Sequence, residues 1–333
     1  MSKKKILLLS DDLRMHSGIA TQSKEFVMGT LHKYDWVQIG GAVKHPEEGK
    51  AIDMSQAVQN EYGVKDAYLK IYPISGYGNP NLLRQIIEIE KPDVIMHFTD
   101  PRFWVWLYQM EHEIRQNIPI FYYNIWDDLP YPRYNENFYE SSDLIMNISK
   151  QTVNIVEQVC QNKPRTDWDC TYIPHGIPEK TFFPIDKDNK ELKSFRKKVL
   201  HNKDKDFIIF WNNRNIRRKL PSDVIMAYKT FCDNLPKEKA EKCLLLMHTA
   251  PKDNNGTDLP EVVRNICPDY EVIFSHQRLD DKHMNFLYNI ADIQVNIASN
   301  EGFGLGTAEA VMAGTPMIVN VTGGLQDQCG FEL

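Results

Sequence analysis

Between positions 300 and 310 the chain reads Asn300-Glu301-Gly302-Phe303-Gly304-Leu305-Gly306-Thr307-Ala308-Glu309-Ala310, so two carboxylates eight positions apart bracket three glycines. Glycine lacks a Cβ and lets backbone N–H groups approach a ligand closely, and a helix that begins nearby points its positive end at the same spot. Phosphate or a polyhydroxy ligand suits such a cradle, with Glu301 in the turn and Glu309 in the first turns of the helix accepting hydrogen bonds from hydroxyls. The same residues also fit a plain strand-to-helix turn in which Glu309 favours the helix dipole and Phe303 is core.

Fewer residues elsewhere suggest chemistry. His97 lies in Val94-Ile95-Met96-His97-Phe98, at the end of a predicted parallel strand, where cleft residues tend to arise; a hydrogen-bonded core histidine is the alternative. Gly18 follows a first strand as in many nucleotide-binding turns, yet no full G-x-G-x-x-G is present and a helix-entry turn fits as well. Trp104, Trp106, Leu107 and Tyr108 form an aromatic helical patch of the kind that usually packs as core rather than serving a membrane or an acceptor. No His or Cys pair has metal-ligand spacing, G-x-S-x-G is absent and no lysine follows a glycine loop in the Walker manner, so zinc hydrolase, serine esterase and P-loop NTPase readings are poor.

The elements that must position these residues alternate. Short apolar runs at 5–10, 36–43, 68–71, 94–98, 118–123, 144–148 and 170–173 predict strands. Helical spacing follows Gly18 and recurs at 81–90, 101–116, 135–140 and 150–161, with Asp100 before Pro101 as N-cap and first helical residue. After a Lys-, Asp- and Asn-rich stretch with one short helix near 191–200, strands resume at 207–211, 243–247, 271–274, 293–297 and 317–319, with helices at 222–234, 259–266, 281–290 and 307–313. In the helix after Asp281, Met284, Leu287, Tyr288 and Ala291 form one apolar stripe. This is an α/β chain with parallel sheets: a first domain over 1–184, a linker over 185–205 and a second domain over 206–333, with ligands expected in a cleft between the ends of the two sheets.

The chain has 333 residues, enough for about two domains. Its 42% hydrophobic and 25% charged residues are ordinary for a folded protein, which excludes disorder as the main state. Lys plus Arg is 39 against 45 for Asp plus Glu, a net charge of −6, so no broad surface for nucleic acid is indicated and any anion site must be local. No apolar run approaches the roughly 20 residues of a bilayer span, and the run Ile6-Leu7-Leu8-Leu9 is shorter than a signal-peptide core. A cytoplasmic protein with six reduced, partly buried thiols is expected, with peripheral membrane contact left open.

The 301–309 stretch, followed by Ala313-Gly314-Thr315-Pro316, resembles the E-x7-E signature of the family 4 retaining glycosyltransferases. Other pieces fall in that family's order: Ser17-Gly18 in the first glycine loop, Ile173-Pro174-His175-Gly176 before the linker, Arg214 to Lys219 after the next strand, and Tyr288 to Asp292 before the signature. The resemblance implies the GT-B fold, two Rossmann-like domains facing a central cleft, and covers nearly the whole chain. It further implies that Arg214 and Lys219 bind the donor diphosphate, whose charge two cations can offset without a metal. Glu301 is then expected near the transferred sugar and Glu309 on the ribose hydroxyls. Gly18 and the amides around Phe303, Gly304 and Leu305 are expected on sugar and phosphate. Arg217, Arg218 and Lys219 also fit a solvated loop cluster.

The family usually has a His-Asp pair where this chain reads Asn124-Ile125-Trp126-Asp127-Asp128, so the histidine is missing. Asp127 or Asp128 can supply a carboxylate there for an acceptor hydroxyl and Trp126 can stack on a sugar face, or the segment is an ordinary turn. The chain ends soon after Gly323-Gly324, where the family continues into a final helix that crosses back to the first domain, so a second domain without that helix is expected. The implied activity is retaining, metal-independent hexosyl transfer from a nucleoside diphosphate sugar, as co-substrate, to a hydroxyl of an acceptor the residues do not define. The alternative is a nucleotide-sugar-binding or partner protein on the same fold.

Overall fold

In a computed structural model, residues 3–330 are described. The chain divides between Gly176 and Ile177 into two compact units. The expected outer limits at residues 1–2 and 331–333 lie outside the described residues.

The first unit holds β1 (Lys4–Asp11), β2 (Tyr34–Ala42), β3 (Ile52–Asp53), β4 (Leu69–Ser75), β5 (Val94–Phe98), β6 (Ile120–Asn124), β7 (Leu144–Asn147) and β8 (Cys170–Tyr172) in one sheet of order β3-β4-β2-β1-β5-β6-β7-β8. All neighbours run parallel except the short edge strand β3. Leu7, Leu8 and Leu9 are buried whichever way they point, as befits a strand covered on both faces.

The second unit holds β9 (Phe207–Asn212), β10 (Cys243–His248), β11 (Val272–Ser275), β12 (Ile293–Asn296) and β13 (Met317–Val319), all parallel, in the order β11-β10-β9-β12-β13. Alternate residues of its central strands serve two cores. Ile208, Phe210, Leu244 and Leu246 pack with Leu192, Phe286, Leu287 and Tyr288, while Ile209, Trp211, Leu245 and Met247 pack with Val224, Ile225, Tyr228 and Leu259. Among the parallel strands of each sheet the order reverses direction once, at β1/β5 and at β9/β12, and a parallel sheet leaves a crevice beyond the carboxyl ends of its strands there.

Two expectations change. The polar stretch taken as a linker belongs to the second unit: its helix Lys190–Val199 lays Leu192 and Phe195 into that unit's core, with Leu200 closing the end, and Phe182 and Ile185 join them. The 101–116 helix is broken into Pro101–Trp104, Val105–Gln109 and Glu111–Ile114. One regular helix would set Met110 about 120° away from Trp104; the breaks bring Trp104, Leu107, Met110 and Ile114 into one core, as expected for an aromatic patch that packs inward. Five of the six cysteines are buried free thiols and Cys329 is exposed.

Candidate functional site

At the β9/β12 crevice two turns meet. The first leaves β9 and passes through a single tight turn, Arg217–Lys219, before Pro221 opens the helix Pro221–Asp233. Leu220 closes that turn with φ +49°, an uncommon conformation for a residue with a side chain, and its N–H bonds the Arg217 carbonyl. The second leaves β12 and carries Asn300 to Gly304 into the helix Leu305–Met312.

The turns are stitched together. Ser299 N–H donates to the Arg218 carbonyl at 2.9 Å, Arg218 Nη1 donates to the Asn300 carbonyl at 2.7 Å, and the Lys219 ammonium pairs with the Glu301 carboxylate. Lys219 is buried, 6% exposed, so its charge needs that partner. Arg214 stands in the same turn but exposed, and pairs through Nε with Asp253 Oδ2 at 3.0 Å.

Gly304 sits at φ +88°, and a Cβ there would meet Thr307 Oγ1 at 2.6 Å and Leu325 Cδ2 at 2.7 Å, so this position requires glycine. Gly323, at φ +49°, lies so close to the Glu301 carbonyl that a Cβ would stand 1.8 Å from its oxygen. The Gly324 N–H then donates to the carbonyls of Glu301 and Gly302, both at 3.1 Å. Gln328 adds a third tie: its Nε2 donates to the Phe303 carbonyl at 2.6 Å, and its Oε1 accepts from Thr307 Oγ1 at 2.8 Å. Phe303 itself is buried, and Leu305 is the first residue of the helix.

Glu309 lies inside that helix, and its Oε2 accepts from the Tyr288 hydroxyl at 2.5 Å, which in turn accepts from Asn212 Nδ2 at 2.8 Å. Burial raises the Glu309 carboxyl to about 7, although the Tyr288 bond works against it. Asn212, at the end of β9, was not singled out by its type or spacing. Tyr288 enters the sequence reading as part of a helix stripe and of the Tyr288–Asp292 piece that precedes the signature, without a site role, and Asp253 carries no signal there.

The other predicted residues lie in the first unit. Gly18 is the first residue of the helix Gly18–Thr30, whose N-cap Ser17 accepts from the Ala20 N–H. Asp127 is partly buried, and Trp126 donates through Nε1 to the Asp128 carbonyl while the Arg102 guanidinium lies 5.0 Å over its ring. His97 corrects its expectation as a cleft residue: it is fully buried, with Nδ1 2.7 Å from the Tyr108 hydroxyl and the ring stacked on Tyr122 at 5.2 Å. Burial pushes its pKa down to about 3, so it is neutral. Among the described residues no group of His, Cys, Asp and Glu could hold a metal ion, and no helix is long and apolar enough to cross a membrane.

Residues 192–330 match the family Glycosyl transferases group 1. No curated protein sequence matches the chain. Among solved structures, Anabaena Alr3699/HepE in complex with UDP-glucose is 13% identical, with a TM-score of 0.69 over 97% of this chain and 82% of that one. A glycosyltransferase from Rickettsia africae ESF-5 is 16% identical, with a TM-score of 0.68 over 99% and 83%. Sucrose-phosphate synthase from Thermosynechococcus elongatus is 15% identical, with a TM-score of 0.69 over 98% and 83%. At such identities the likeness is one of fold: two Rossmann-like parallel sheets, as in GT-B glycosyltransferase structures.

Proposed function

We propose that this protein is a retaining hexosyltransferase of the family 4 type that moves a sugar from a nucleoside diphosphate donor to an acceptor hydroxyl. The observation that carries the reading is the meeting of a basic turn and a glycine turn at the β9/β12 crevice, joined by Lys219 and Glu301. The UDP-glucose bound by the Anabaena protein of the same fold supports a donor of that class.

As the bond to the anomeric carbon breaks, positive charge grows on the sugar and negative charge on the leaving diphosphate, so fixed cations and amides at the phosphates lower the barrier. Arg214 and Lys219 supply the cations, and the amides of Phe303, Gly304 and Leu305, at the positive end of the helix Leu305–Met312, supply the rest. When phosphate oxygens take over the Lys219 ammonium, Glu301 is released to accept from sugar hydroxyls. Glu309 accepts from the ribose hydroxyls. Gly18 contributes a backbone amide to donor binding. On the acceptor side Asp127 holds the incoming hydroxyl and Trp126 offers a face to a sugar ring. The acceptor attacks from the side of the leaving group, a donor phosphate oxygen helps remove its proton, and no protein nucleophile or metal takes part.

The test is to assay hydrolysis or transfer with UDP-, GDP- and ADP-hexoses for the natural protein, Arg214→Ala and Lys219→Ala. Loss of donor turnover in both variants, with folding intact, supports the reading. Unchanged turnover in both overturns it, and donor binding without product from any acceptor identifies a nucleotide-sugar-binding protein instead.

A further inference from the structure

The two cations of the basic turn are held very differently. Lys219 is buried, whereas 62% of the Arg214 side chain is exposed; its partner Asp253 is only 14% exposed. In this ion pair the carboxylate is the fixed member and the cation the loose one.

What fixes Asp253 is built into the loop after β10. Asn215, the residue next to Arg214, is fully buried, and its Nδ2 donates to the carbonyls of Thr257 at 2.7 Å and Ala250 at 3.3 Å while its Oδ1 accepts from the Thr257 N–H at 3.2 Å. Gly256 lies against this residue so closely that a Cβ would stand 2.0 Å from the Asn215 carbonyl oxygen. Inside the loop, Asp253 Oδ1 accepts from the Asn255 N–H at 2.9 Å and the Gly256 N–H donates to the Asp253 carbonyl at 3.0 Å. One buried asparagine thus clamps both ends of the loop to the residue beside Arg214.

Asp253 holds one edge of the guanidinium: Nε at 3.0 Å from Oδ2 and Nη2 at 3.4 Å from Oδ1. A guanidinium has five N–H donors in a rigid plane, so gripping the Nε edge orients the Nη1 edge without using it. We propose that Asp253 is a positioning residue for Arg214, setting the outer edge of the guanidinium for the donor diphosphate. This rests on the reading of Arg214 given above. Pre-orienting a long exposed side chain lowers the ordering cost of each binding event, and in a two-phosphate ligand it selects which oxygens the fork meets. The opposite role is a competitor, a carboxylate that must be displaced before the anion binds; the fixed partner and, among the described residues, the single occupied edge argue against it.

The experiment is a double-mutant cycle on the full chain, with UDP, GDP and ADP titrated by calorimetry and the tightest binder carried forward. Asp253→Ala is expected to weaken binding by roughly tenfold and to add nothing in an Arg214→Ala background. Asp253→Asn, which keeps an accepting oxygen and guards against a folding defect, is expected to fall between. Tighter binding by Asp253→Ala makes the residue a competitor and overturns the proposal, as does an equal loss in the Arg214→Ala background, which makes it a loop-structure residue. If Arg214→Ala binds normally while Lys219→Ala does not, the reading of Arg214 fails and takes this proposal with it; an additive cycle overturns the proposal alone.

Discussion

The Lys219 ammonium is buried against the Glu301 carboxylate, so the two turns of the candidate site are joined by a charge pair across 82 residues of sequence. Removing one member of such a pair leaves the other without compensation. Lys219→Met is expected to lower stability by roughly 3 kcal/mol and donor turnover by about a hundredfold or more. Denaturant unfolding and initial-rate assays check the two effects, and Glu301→Gln combined with Lys219→Met is expected to recover stability without recovering rate.

Glu309 predicts a pH dependence. Its carboxyl, raised to about 7 by burial, binds a proton in the folded chain that the unfolded chain has already released above about 4.5. The folded state therefore binds more protons over that window, and Glu309's contribution to stability falls as pH rises from about 4.5 to 7, then levels. If the ionised form accepts from ribose hydroxyls, donor affinity rises over the pH range around 7. Glu309→Gln is expected to flatten both profiles, and Tyr288→Phe, which removes a bond to the charged form, to move the affinity midpoint upward. Calorimetry from pH 5 to 9 reads both.

The glycines of the site separate from those of ordinary turns. Gly323→Ala places a Cβ 1.8 Å from the Glu301 carbonyl oxygen and is expected to unfold the second unit or abolish donor binding. Gly63→Ala, at φ +71° with nothing within 4 Å, is expected to cost only about 1 kcal/mol. Thermal unfolding of the two variants side by side checks the contrast.

In the first unit, Glu90 is buried and accepts from Lys5, Lys70, Tyr68 and Tyr72. Burial alone would raise its pKa; the Tyr72, Lys70, Tyr68 and Lys5 bonds together hold it down to about 2. The stability from this group is complete above its unfolded value of about 4.5 and is lost as pH falls toward 2. Glu90→Gln is expected to be less stable at pH 7 and to lose less on acidification, as read by unfolding from pH 7 to 3.

Much of this architecture was legible beforehand where one period ran uninterrupted between clear stops. The strands Val94–Phe98 and Met317–Val319 and the helices Leu259–Ile266 and Asp281–Ile290 begin and end where their residues indicate. Composition misled at 185–205, because Leu192, Phe195, Val199 and Leu200 at helical spacing outweigh the charges around them once the second core offers a place to pack. His97 reads equally as cleft or core from its type, and only the ring of Trp104, Tyr108 and Tyr122 around it decides. The partners of the site residues were least legible. Arg214 and Asp253 stand 39 residues apart and Asn212 and Tyr288 76 apart, and neither spacing carries a periodic signal that would link them.

The paired glycines at 323 and 324 carry a consequence for engineering. They serve as a mould for the bend that holds Glu301, while Gln328 pins the far side of the same bend. A version of this protein shortened ahead of Thr322 would keep every charged group named above and still present Glu301 on a bend that has lost its mould on one side, held by the ties to Arg218 and Lys219.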